Sequence, residues 1–486
     1  YGPVGTPSDG DFCINGLVFP DRSVKPQTME MGKVYQSIRF RDFDPATGRV
    51  TVKNNYSFTS TSDFDFYYLV KNDAGDVTRH DLHVSLAPGE EGEFVLEGLP
   101  ADHGDGSEWF VELYAVTRTD APLVPRGHVV ASEQFCLNRL ERQHVLRAQA
   151  QYDETDETLV FKGEDHEITF DKATGMMVSY KLHGRELLHD GCGPRPFFWR
   201  APIDNEYGAA IPLKTARWRD ASYADLRPAD FGVRVVRGFA RGEDPAGPRG
   251  NRRGVERVVS NTVVDCRYDF EEIGAKVNVA YKIAPDGMVT VTTTYMGSDA
   301  SVPMIPRIGL RMQMDEAFGR LAYFGRGPLE NYCDRQSGSF VGLYETSVDD
   351  MLVSYVRPQE NSHRTDVRWF SLRDKRGAGL LFVSHDTFEF NASAYPLETF
   401  DSGMSIFNDS PVTPETDHRH TNDVNRADMV DVFIDGAMTG VGGNDSWGQL
   451  PMEQYRVSPD TTLTYSFTII PLDRRSDVGT LSKTVF

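Results

Sequence analysis

The chain has few cysteines, no long apolar run and a deficit of positive charge. Its five cysteines among 486 residues are widely spaced and form no CxxC pair, which favours buried free thiols over a disulfide framework or a zinc site. No run of about 18 or more apolar residues occurs, so we expect no membrane-spanning helix. The 51 lysines and arginines stand against 72 aspartates and glutamates, a net charge of −21. Because such a chain repels phosphates and shows no basic groove, we expect no nucleic acid partner.

The remaining composition is that of an ordinary folded protein. Hydrophobic residues make up 39% of the chain, charged residues 25% and aromatic residues 11%, which supplies ample core and excludes a collagen-like or wholly disordered chain. At about 150 residues per domain, the length suggests three domains. The start at Tyr1 has no initiator methionine, basic segment or apolar segment, which is typical of an expression product or of a piece of a longer chain.

Most of the sequence follows the period-two alternation of half-buried strands. Apolar residues alternate over residues 276–283, the turn Ala-Pro-Asp-Gly follows at 284–287, and the alternation resumes over 289–295. This pattern predicts an antiparallel hairpin. Helical patterning is scarce, and its best candidate is residues 213–223. A long chain of hairpin-connected strands predicts packed β-sandwiches, which limit exposed strand edges.

Changes in composition divide the chain into four parts. Residues 1–37 are rich in Gly, Pro and Asp and lack a complete strand pattern. Residues 38–137 carry about seven strand-like segments, the number in an immunoglobulin-like sandwich. Residues 138–150 are polar and predict a linker. Residues 151–486 show no second linker and predict one large β-domain, in which the Gly-, Pro- and Arg-rich residues 241–253 form an exposed loop.

Four segments are denser in polar and small residues than a sandwich strand requires. They are DFCINGL at 11–17, FWRAPIDNEYG at 198–208, GRGPLENYCDR at 325–335 with YVRPQEN at 355–361, and the stretch from IDG at 434 to GVGGNDSW, which ends at 447. The third segment is not a nucleotide loop, because Pro328 interrupts it and no helix pattern follows.

These segments resemble those of glycoside hydrolase family 2 β-galactosidases of the long bacterial type. The similarity is colinear through nearly the whole chain and corresponds to the C-terminal half of those enzymes. It rests on the patterns RAPxDNExG, GxGPxENYxDR, YVxPxEN and GxGGxDSW. The resemblance implies that residues 1–37 are the end of a catalytic (β/α)8 barrel and that 38–137 are an immunoglobulin-like domain. It implies that residues 151–486 are the small-chain domain, a galactose mutarotase-like β-supersandwich.

The resemblance also implies that this chain lacks the reaction centre. In the family, the acid/base glutamate, the nucleophilic glutamate and the magnesium ligands lie in the barrel, before the position that corresponds to Tyr1. A retaining glycosidase needs its two carboxyl groups about 5–5.5 Å apart. We therefore expect no catalytic residue here and no activity of the isolated chain. The expected activity of the full-length enzyme is hydrolysis of terminal β-D-galactosides such as lactose, with the N-terminal catalytic half as partner.

Three positions match substrate-site residues of the family. Phe12, through its carbonyl oxygen, and Asn15, through its side-chain oxygen, match ligands of a sodium ion beside the sugar, although two ligands make an incomplete site. Trp447 matches a tryptophan at the mouth of the barrel, where its ring can stack on a sugar. By themselves, Asn15 and Gly16 would indicate a turn, and a tryptophan is more often a packing residue.

Five carboxylates near the motifs suggest acid–base chemistry, but a structural role is favoured. They lie close in sequence to four arginines, and Arg–carboxylate pairs commonly fix loops. For the segment from Asp204 to Gly208, the resemblance implies that it heads a loop running toward the rim of the active site. The carboxylates are Asp204, Glu206, Glu330, Asp334 and Glu360, and the arginines are Arg200, Arg326, Arg335 and Arg357.

Two histidine patterns leave alternatives open. His418 and His420 are spaced to share one face of a strand, as in a metal site, but no third ligand is evident. His363 lies near Glu360 and could form an acid–base pair for sugar ring opening. The alternative function is therefore a free-standing carbohydrate-binding or aldose mutarotase module. The sequence leaves open whether the chain forms a homo-oligomer and whether its bacterial compartment is the cytoplasm or the periplasm.

Overall fold

The computed structural model of this chain is mainly β and fits the predicted β-sandwich class, whereas the barrel tail expected at residues 1–37 stays a prediction. It describes residue 7 and residues 14–100, 106–140, 142–209, 211–242, 255–297, 301, 304–401, 420–445 and 448–486. The chain forms two compact units. The smaller unit contains Leu17–Arg142 and Gln336–Leu343, and the larger contains Tyr1–Gly16, Gln143–Arg335 and Tyr344–Phe486. Among the described residues, no helix has the length and apolar character needed to cross a bilayer.

The smaller unit is a β-sandwich with one helix. Its elements are α1 (Pro26–Tyr35), β1 (Ile38–Asp44), β2 (Arg49–Asn54), β3 (Phe64–Asn72), β4 (Val77–Leu82), β5 (Glu91–Val95), β6 (Trp109–Thr117) and β7 (Val129–Asn138). One antiparallel sheet has the order β1-β2-β5 and the other the order β4-β3-β6-β7. Alternate residues of β3 are buried along its whole length. Phe66 of β3 meets Phe40 of β1 edge to face, with ring centroids 6.3 Å apart, so the two sheets share one core.

A short segment that lies about two hundred residues further along the chain completes the smaller unit. Residues Gln336–Leu343 lie against α1 and β7. The carboxylate of Glu30 accepts hydrogen bonds from the Ser337 hydroxyl and from the Gly338 N–H, the latter at 2.8 Å. The Gln134 side chain donates to the Val341 carbonyl at 2.7 Å and accepts from the Val341 N–H at 2.8 Å. These bonds satisfy the backbone of the segment much as a strand partner would.

The larger unit begins with strands and three short helices. These are β8 (Gln143–His144), β9 (Tyr152–Glu154), β10 (Thr158–Lys162), β11 (His166–Asp171), β12 (Met177–Leu182), β13 (Arg185–Glu186), β14 (Arg195–Phe197), α2 (Asp204–Gly208), α3 (Ile211–Lys214), α4 (Ala216–Tyr223), β15 (Asp230–Gly242), β16 (Val255–Phe270), β17 (Ala275–Ile283) and β18 (Val289–Met296). The predicted hairpin is present as β17 and β18. The predicted helix is present as α3 and α4, which are separated at Thr215.

The second half of the larger unit is almost entirely strand. Its elements are β19 (Arg307–Asp315), β20 (Arg320–Gly327), β21 (Phe340–Ser347), β22 (Arg364–Arg373), β23 (Gly379–Ser393), β24 (Met429–Met438), β25 (Thr462–Leu472), α5 (Val478–Leu481) and β26 (Thr484–Val485). The larger unit holds β21 only from Tyr344 onward, because the first residues of this strand belong to the smaller unit. The predicted loop at 241–253 falls outside the described residues except for its first two, which end β15.

Two sheets of the larger unit enclose its main core. The smaller sheet has the order β13-β12-β11-β10-β9, and the larger runs β14-β19-β24-β23-β25-β18-β17-β16-β15, with β22 beside β23 and β20 between β22 and β21. Phe170 of β11 meets Tyr281 of β17 edge to face at 5.0 Å. Phe370 of β22 stacks between Phe382 and Phe390, with centroids 4.5 and 4.4 Å away. The larger unit is therefore also a sandwich, with an aromatic core.

The strands β19, β24 and β23 carry opposite kinds of side chain on their two faces. Leu310, Ile434 and Phe390 lie side by side in the ladder and face the main core. The intervening positions carry charged residues, among them Arg307, Arg311, Asp431, Asp435 and Glu389. An alternating strand normally directs such residues to solvent. Here Arg307, Arg311, Asp431 and Asp435 are buried and the Glu389 side chain is 18% exposed, so most of this face is a second, ionic interior.

We expect Gly338→Ala to destabilise the smaller unit. A Cβ atom at this position would lie 2.8–2.9 Å from backbone atoms of Met29 and Glu30, which cannot move without moving α1. The expected loss in the free energy of unfolding is roughly 1–3 kcal/mol, the usual cost of overpacking. The control is Gly32→Ala in α1, where an added Cβ atom would meet nothing within 4 Å. Urea unfolding that finds the two variants equally stable would contradict this account.

Candidate functional site

The first ionic cluster on the covered sheet face is fully paired. The guanidinium of Arg311 donates to both oxygens of Asp431 at 2.8 Å and to both oxygens of Glu398 at 2.6 and 2.9 Å. Asp431 also accepts the Leu397 N–H at 3.0 Å. Bidentate Arg–carboxylate pairs combine charge with fixed geometry. This cluster therefore holds the segment around residue 397 on the sheet.

The second cluster contains five ionisable side chains: Arg307, Glu360, His363, Glu389 and Asp435. Arg307 approaches Asp435 at 3.1 Å and Glu360 at 3.7 Å, and its guanidinium lies 4.2 Å from the centroid of the Phe433 ring. None of its three nitrogens has the geometry of a hydrogen bond to another protein atom. The same is true of both carboxylate oxygens of Glu360 and both of Asp435. The second cluster is thus close-packed and poorly hydrogen-bonded, unlike the first.

The second cluster contains more acidic groups than cations, and burial shifts its protonation. Burial raises the pKa of Glu360 to about 7 and that of Glu389 to about 8, with Arg307 opposing the shift in both cases. Burial also raises the pKa of Asp435 well above its ordinary value. It lowers the pKa of His363, and the nearby arginines lower it further. Charge in this low-dielectric site is therefore reduced by proton uptake on the carboxylates and by a neutral imidazole.

A glycine leaves room for this arrangement. Gly309 of β19 lies opposite Asp435 of β24 in the ladder. A Cβ atom on Gly309 would lie 1.8 Å from Oδ1 of Asp435. Because no side chain fits there, the carboxylate of Asp435 can lie flat against β19. The spacing of charges on this face therefore depends on a residue with no side chain.

The acid–base pair suggested for sugar ring opening, His363 and Glu360, is closed to a sugar. Arg307, His363 and Asp435 are 0% exposed and Glu360 is 2% exposed. His363 makes its hydrogen bond with Glu389, at 3.1 Å, rather than with Glu360, and its ring stacks on Tyr332 with centroids 5.2 Å apart. The hypothesis that His363 and Glu360 act together in ring opening therefore does not fit the structure. An acid–base pair must reach the proton that it moves.

Arg–carboxylate pairs fix the motif loops, as predicted. Arg200 binds Glu206 and Arg335 binds Glu330, each at 2.7 Å. The predicted loop at Asp204 is instead the one-turn helix α2, because Glu206 accepts the Ile203 N–H at 3.1 Å and caps its first turn. The guanidinium of Arg357 lies over the Tyr207 ring at 3.8 Å. These contacts bring the segments at 198–208 and 355–361 together.

The Gly-rich segment that follows β24, residues 439–445, is bound by side chains from two other motifs. Asp334 accepts hydrogen bonds from the N–H groups of Val441, at 3.0 Å, and Gly442, at 2.7 Å. Arg200 donates to the Thr439 carbonyl at 2.7 Å and to the Gly440 carbonyl at 3.0 Å. Sequence reasoning identified these motifs but not their mutual contacts. The run of glycines was the available signal, since glycine permits close approach of other groups to the backbone.

The structure leaves the three predicted substrate-site residues untested. Phe12 and Trp447 lie outside the described residues, and Asn15 is exposed. The amide oxygen of Asn15 is a hard donor of the kind that sodium takes, but one described donor makes no site. The role of Asn15 stays a prediction.

The predicted histidine pair is only partly visible. His418 lies outside the described residues. His420 is not in a strand: it precedes a short 3-10 turn, and its Nδ1 lies 3.1 Å from the Asp423 carboxylate. Local hydrogen bonding to Asp423 thus replaces the expected strand geometry. Within the described ranges, no group of three or more His, Cys, Asp or Glu side chains is arranged to hold a metal ion.

We expect the second cluster to make stability depend on pH. The folded-state pKa values of Glu360 and Glu389, about 7 and 8, exceed the ordinary value of 4.5. The stabilising effect of protonation is therefore complete below pH 4.5 and is lost as the pH rises through 7 to 8. Between the unfolded-state and folded-state pKa values, each extra proton that the folded form binds makes the free energy of unfolding fall by about 1.4 kcal/mol for every unit by which the pH rises.

Urea unfolding at several pH values between about 5 and 8 measures how the free energy of unfolding changes with pH. The double variant Glu360→Gln/Glu389→Gln mimics the protonated carboxyl groups, so its free energy of unfolding should change less steeply with pH. The surface variant Glu272→Gln should keep the pH dependence of the parent. Parallel slopes for the parent and the double variant would contradict the assignment.

Comparison with known proteins identifies the family. The family model described as "Beta galactosidase small chain" matches residues 162–469, and "Beta-galactosidase, domain 4" matches residues 50–138. A β-galactosidase of Priestia megaterium is 30% identical over 96% of this chain and 42% of its own length. A β-galactosidase of Streptococcus thermophilus is 28% identical over 96% of this chain and 41% of its own length.

The chain thus spans about two-fifths of the length of these curated relatives. The solved structure of a galactose 1-epimerase from Lactobacillus acidophilus NCFM matches 67% of this chain and 98% of the epimerase chain. The TM-score is 0.32 and the sequence identity is 7%, values too low to assign a function. The resemblance drawn from the four motifs is confirmed by the family models. Since the small-chain match extends over more than half of the residues, this chain belongs to the β-galactosidase small chain family.

Proposed function

We propose that this chain is the C-terminal part of a β-galactosidase that hydrolyses terminal β-D-galactosides, such as lactose, with retention of configuration. The observation that carries the proposal is the match to proteins named β-galactosidase along 96% of the chain, which spans only 42% and 41% of their length. A match of this kind is expected for one part of a larger enzyme. The activity therefore belongs to the full-length protein.

The carboxylates of this chain support a reaction centre located elsewhere. Retaining hydrolysis requires two accessible carboxyl groups about 5–5.5 Å apart, one of them protonated. Glu360, Glu389 and Asp435 have raised pKa values, but Glu360 and Asp435 are buried and Glu389 is hydrogen-bonded to His363. Glu206 and Glu330 are occupied by arginines. We therefore assign both catalytic glutamates to the preceding part of the enzyme.

The role of this chain in the proposal is to provide a scaffold and part of the substrate rim. Residues 1–37 would end the catalytic barrel, residues 38–137 and 151–486 would support it, and residues 138–150 would link them. Trp447 would stack on the sugar, and Phe12 and Asn15 would supply two of the sodium ligands. Magnesium has no assigned ligand in this chain.

The partners follow from the same proposal. They are a galactoside ligand and the preceding catalytic half, and a homo-oligomer and a bacterial cytoplasmic or periplasmic location are consistent with it. The alternative, a free-standing mutarotase, is not favoured, because its acid–base pair, His363 and Glu360, is sealed from solvent and the two residues are not hydrogen-bonded to each other.

We expect Trp447→Ala in the full-length enzyme to raise the KM for lactose. An aromatic ring stacked on a sugar contributes roughly 0.5–1.5 kcal/mol beyond area burial, so the expected increase in KM is roughly 2- to 13-fold. Steady-state hydrolysis measures this effect, and NMR of the first product should show the β-anomer of galactose.

A matched control is Phe58→Ala, which removes an aromatic ring that is 96% exposed in the smaller unit. It should leave KM unchanged. An unchanged KM for Trp447→Ala would remove the rim role. Absence of galactoside hydrolysis by the full-length enzyme would remove the proposed function itself.

A further inference from the structure

Three neighbouring strands of the larger sheet reach one end of it at the same level. Arg320, the first residue of β20, pairs with Arg373, the last residue of β22, and Arg373 pairs with Gly379, the first residue of β23. The turn between β22 and β23 therefore lies at this end. The turn that follows β25 lies against it, because a Cβ atom added to Gly377 would come within 3.3 Å of the Cα atom of Arg474.

Five cationic residues are gathered at this end of the sheet. They are Arg320, Arg373, Lys375, Arg376 and Arg474. In the described part of the chain, none of these five side chains forms an ion pair with a carboxylate. Arg320 and Arg373 stand directly opposite each other in the ladder, where like charges are destabilising. Since the whole chain has a net charge of −21, this local excess of positive charge favours an anionic ligand.

A cavity of about 650 Å³ lies beside three of these cations. Arg320, Lys375 and Arg376 line it, and all three residues are exposed. Cavities of about 300–1,000 Å³ are of the size that binds small molecules. The positive charge therefore belongs to the wall of a concave site and not only to an open surface.

Asp374 fixes the turn that carries two of the three cations. Its carboxylate accepts the N–H groups of Arg376, at 2.8 Å, and of Ala378, at 3.1 Å. Asp374 is 6% exposed and also binds the guanidinium of Arg185 at 2.7 Å. The backbone at Lys375 and Arg376 is thus held in one conformation before a ligand binds, which lowers the entropic cost of binding.

The other carboxylates that line the cavity are each paired with one arginine. Arg426 lies 2.9 Å from Asp349 and 3.2 Å from Glu316, and Arg185 lies 3.5 Å from Asp315. A carboxylate has about four lone-pair sites, so each of these groups can also accept a hydrogen bond from a hydroxyl group. The cavity therefore combines cations for an anion with acceptors for hydroxyl groups.

We propose that this cavity binds a phosphate monoester of a small polyhydroxylated molecule, that is, a sugar phosphate or a polyol phosphate. Arg320, Lys375 and Arg376 hold the phosphate group through charge-assisted hydrogen bonds, for which the planar guanidinium group is well suited. The paired carboxylates accept the hydroxyl groups. A phosphate monoester carries a charge of about −1.5 to −2 at pH 7, which these cations balance. The inference is independent of the proposed function, because none of these residues belongs to the substrate rim.

Isothermal titration calorimetry of the full-length protein with glucose 6-phosphate tests the inference. We expect saturable binding to the parent at low ionic strength. The triple variant Arg320→Gln/Lys375→Gln/Arg376→Gln loses three charged donors and should bind at least about tenfold more weakly. Added salt should weaken binding to the parent, because it screens exposed charges. Any binding of uncharged glucose should be the same for the parent and the triple variant.

The matched control is the triple variant Lys162→Gln/Lys172→Gln/Lys181→Gln. It removes the same amount of positive charge from the region of the smaller sheet, where Lys172 and Lys181 pair with carboxylates at 2.7 and 3.1 Å. The control should bind glucose 6-phosphate like the parent. Equal weakening in the two triple variants would overturn the inference, since only long-range attraction would then be acting. Absence of measurable binding to the parent would also overturn it.

Two further ligands test the chemical class. Inorganic phosphate should bind to the parent more weakly than glucose 6-phosphate, because it offers no sugar hydroxyl groups to the carboxylates. Equal affinity for the two ligands would overturn the inference. A short DNA oligonucleotide should bind more weakly than glucose 6-phosphate, because the rest of the chain repels a polyanion. Tighter binding of the oligonucleotide, lost in the first triple variant, would assign these cations to nucleic acid and overturn the inference.

Discussion

Charged side chains buried on one face of β19, β24 and β23 determine much of how the larger unit is built. A buried charge is costly unless it is paired, hydrogen-bonded or neutralised. The larger unit uses two of these solutions on the same face of one sheet. Arg311 is paired with and hydrogen-bonded to two carboxylates, whereas the cluster around Arg307 lowers its charge by proton uptake. Both clusters require the segments that cover them to take one arrangement, because displacing a segment would strip a buried charge of its partner.

The same chemistry extends from the covered face to the motif loops. Arg200, Glu206 and Asp334 bind backbone groups as well as each other's segments, so irregular chain is held almost as firmly as a strand. This explains why residues that suggest acid–base catalysis have structural partners. Their oxygens and nitrogens are already committed to arginines, amides and carbonyl groups. The chemistry of galactoside cleavage, in the proposal above, is left to the preceding part of the enzyme.

Contacts between residues close in sequence could be predicted from the sequence, whereas contacts between distant residues could not. The β17–β18 hairpin was predictable because alternation and a Pro-Asp-Gly turn are local signals, and the pairs Arg200–Glu206 and Arg335–Glu330 join near neighbours in sequence. Glu360 and its partner Arg307 are far apart, so the ionic interior could not be foreseen: alternating charge on β24 indicates a solvent-facing side. The helix α2 was predicted as a loop because its stability depends on a single capping carboxylate. The contact of Asp334 with the Gly-rich segment spans more than a hundred residues.

In the proposed function, this chain provides structure and a substrate rim to a reaction centre in the preceding part of the enzyme. The most direct measurement mixes the purified chain with the separately expressed preceding half of the same enzyme and follows galactoside hydrolysis. The account predicts no turnover by either polypeptide alone and restored turnover when the two are combined. Hydrolysis of lactose by this chain alone would contradict it.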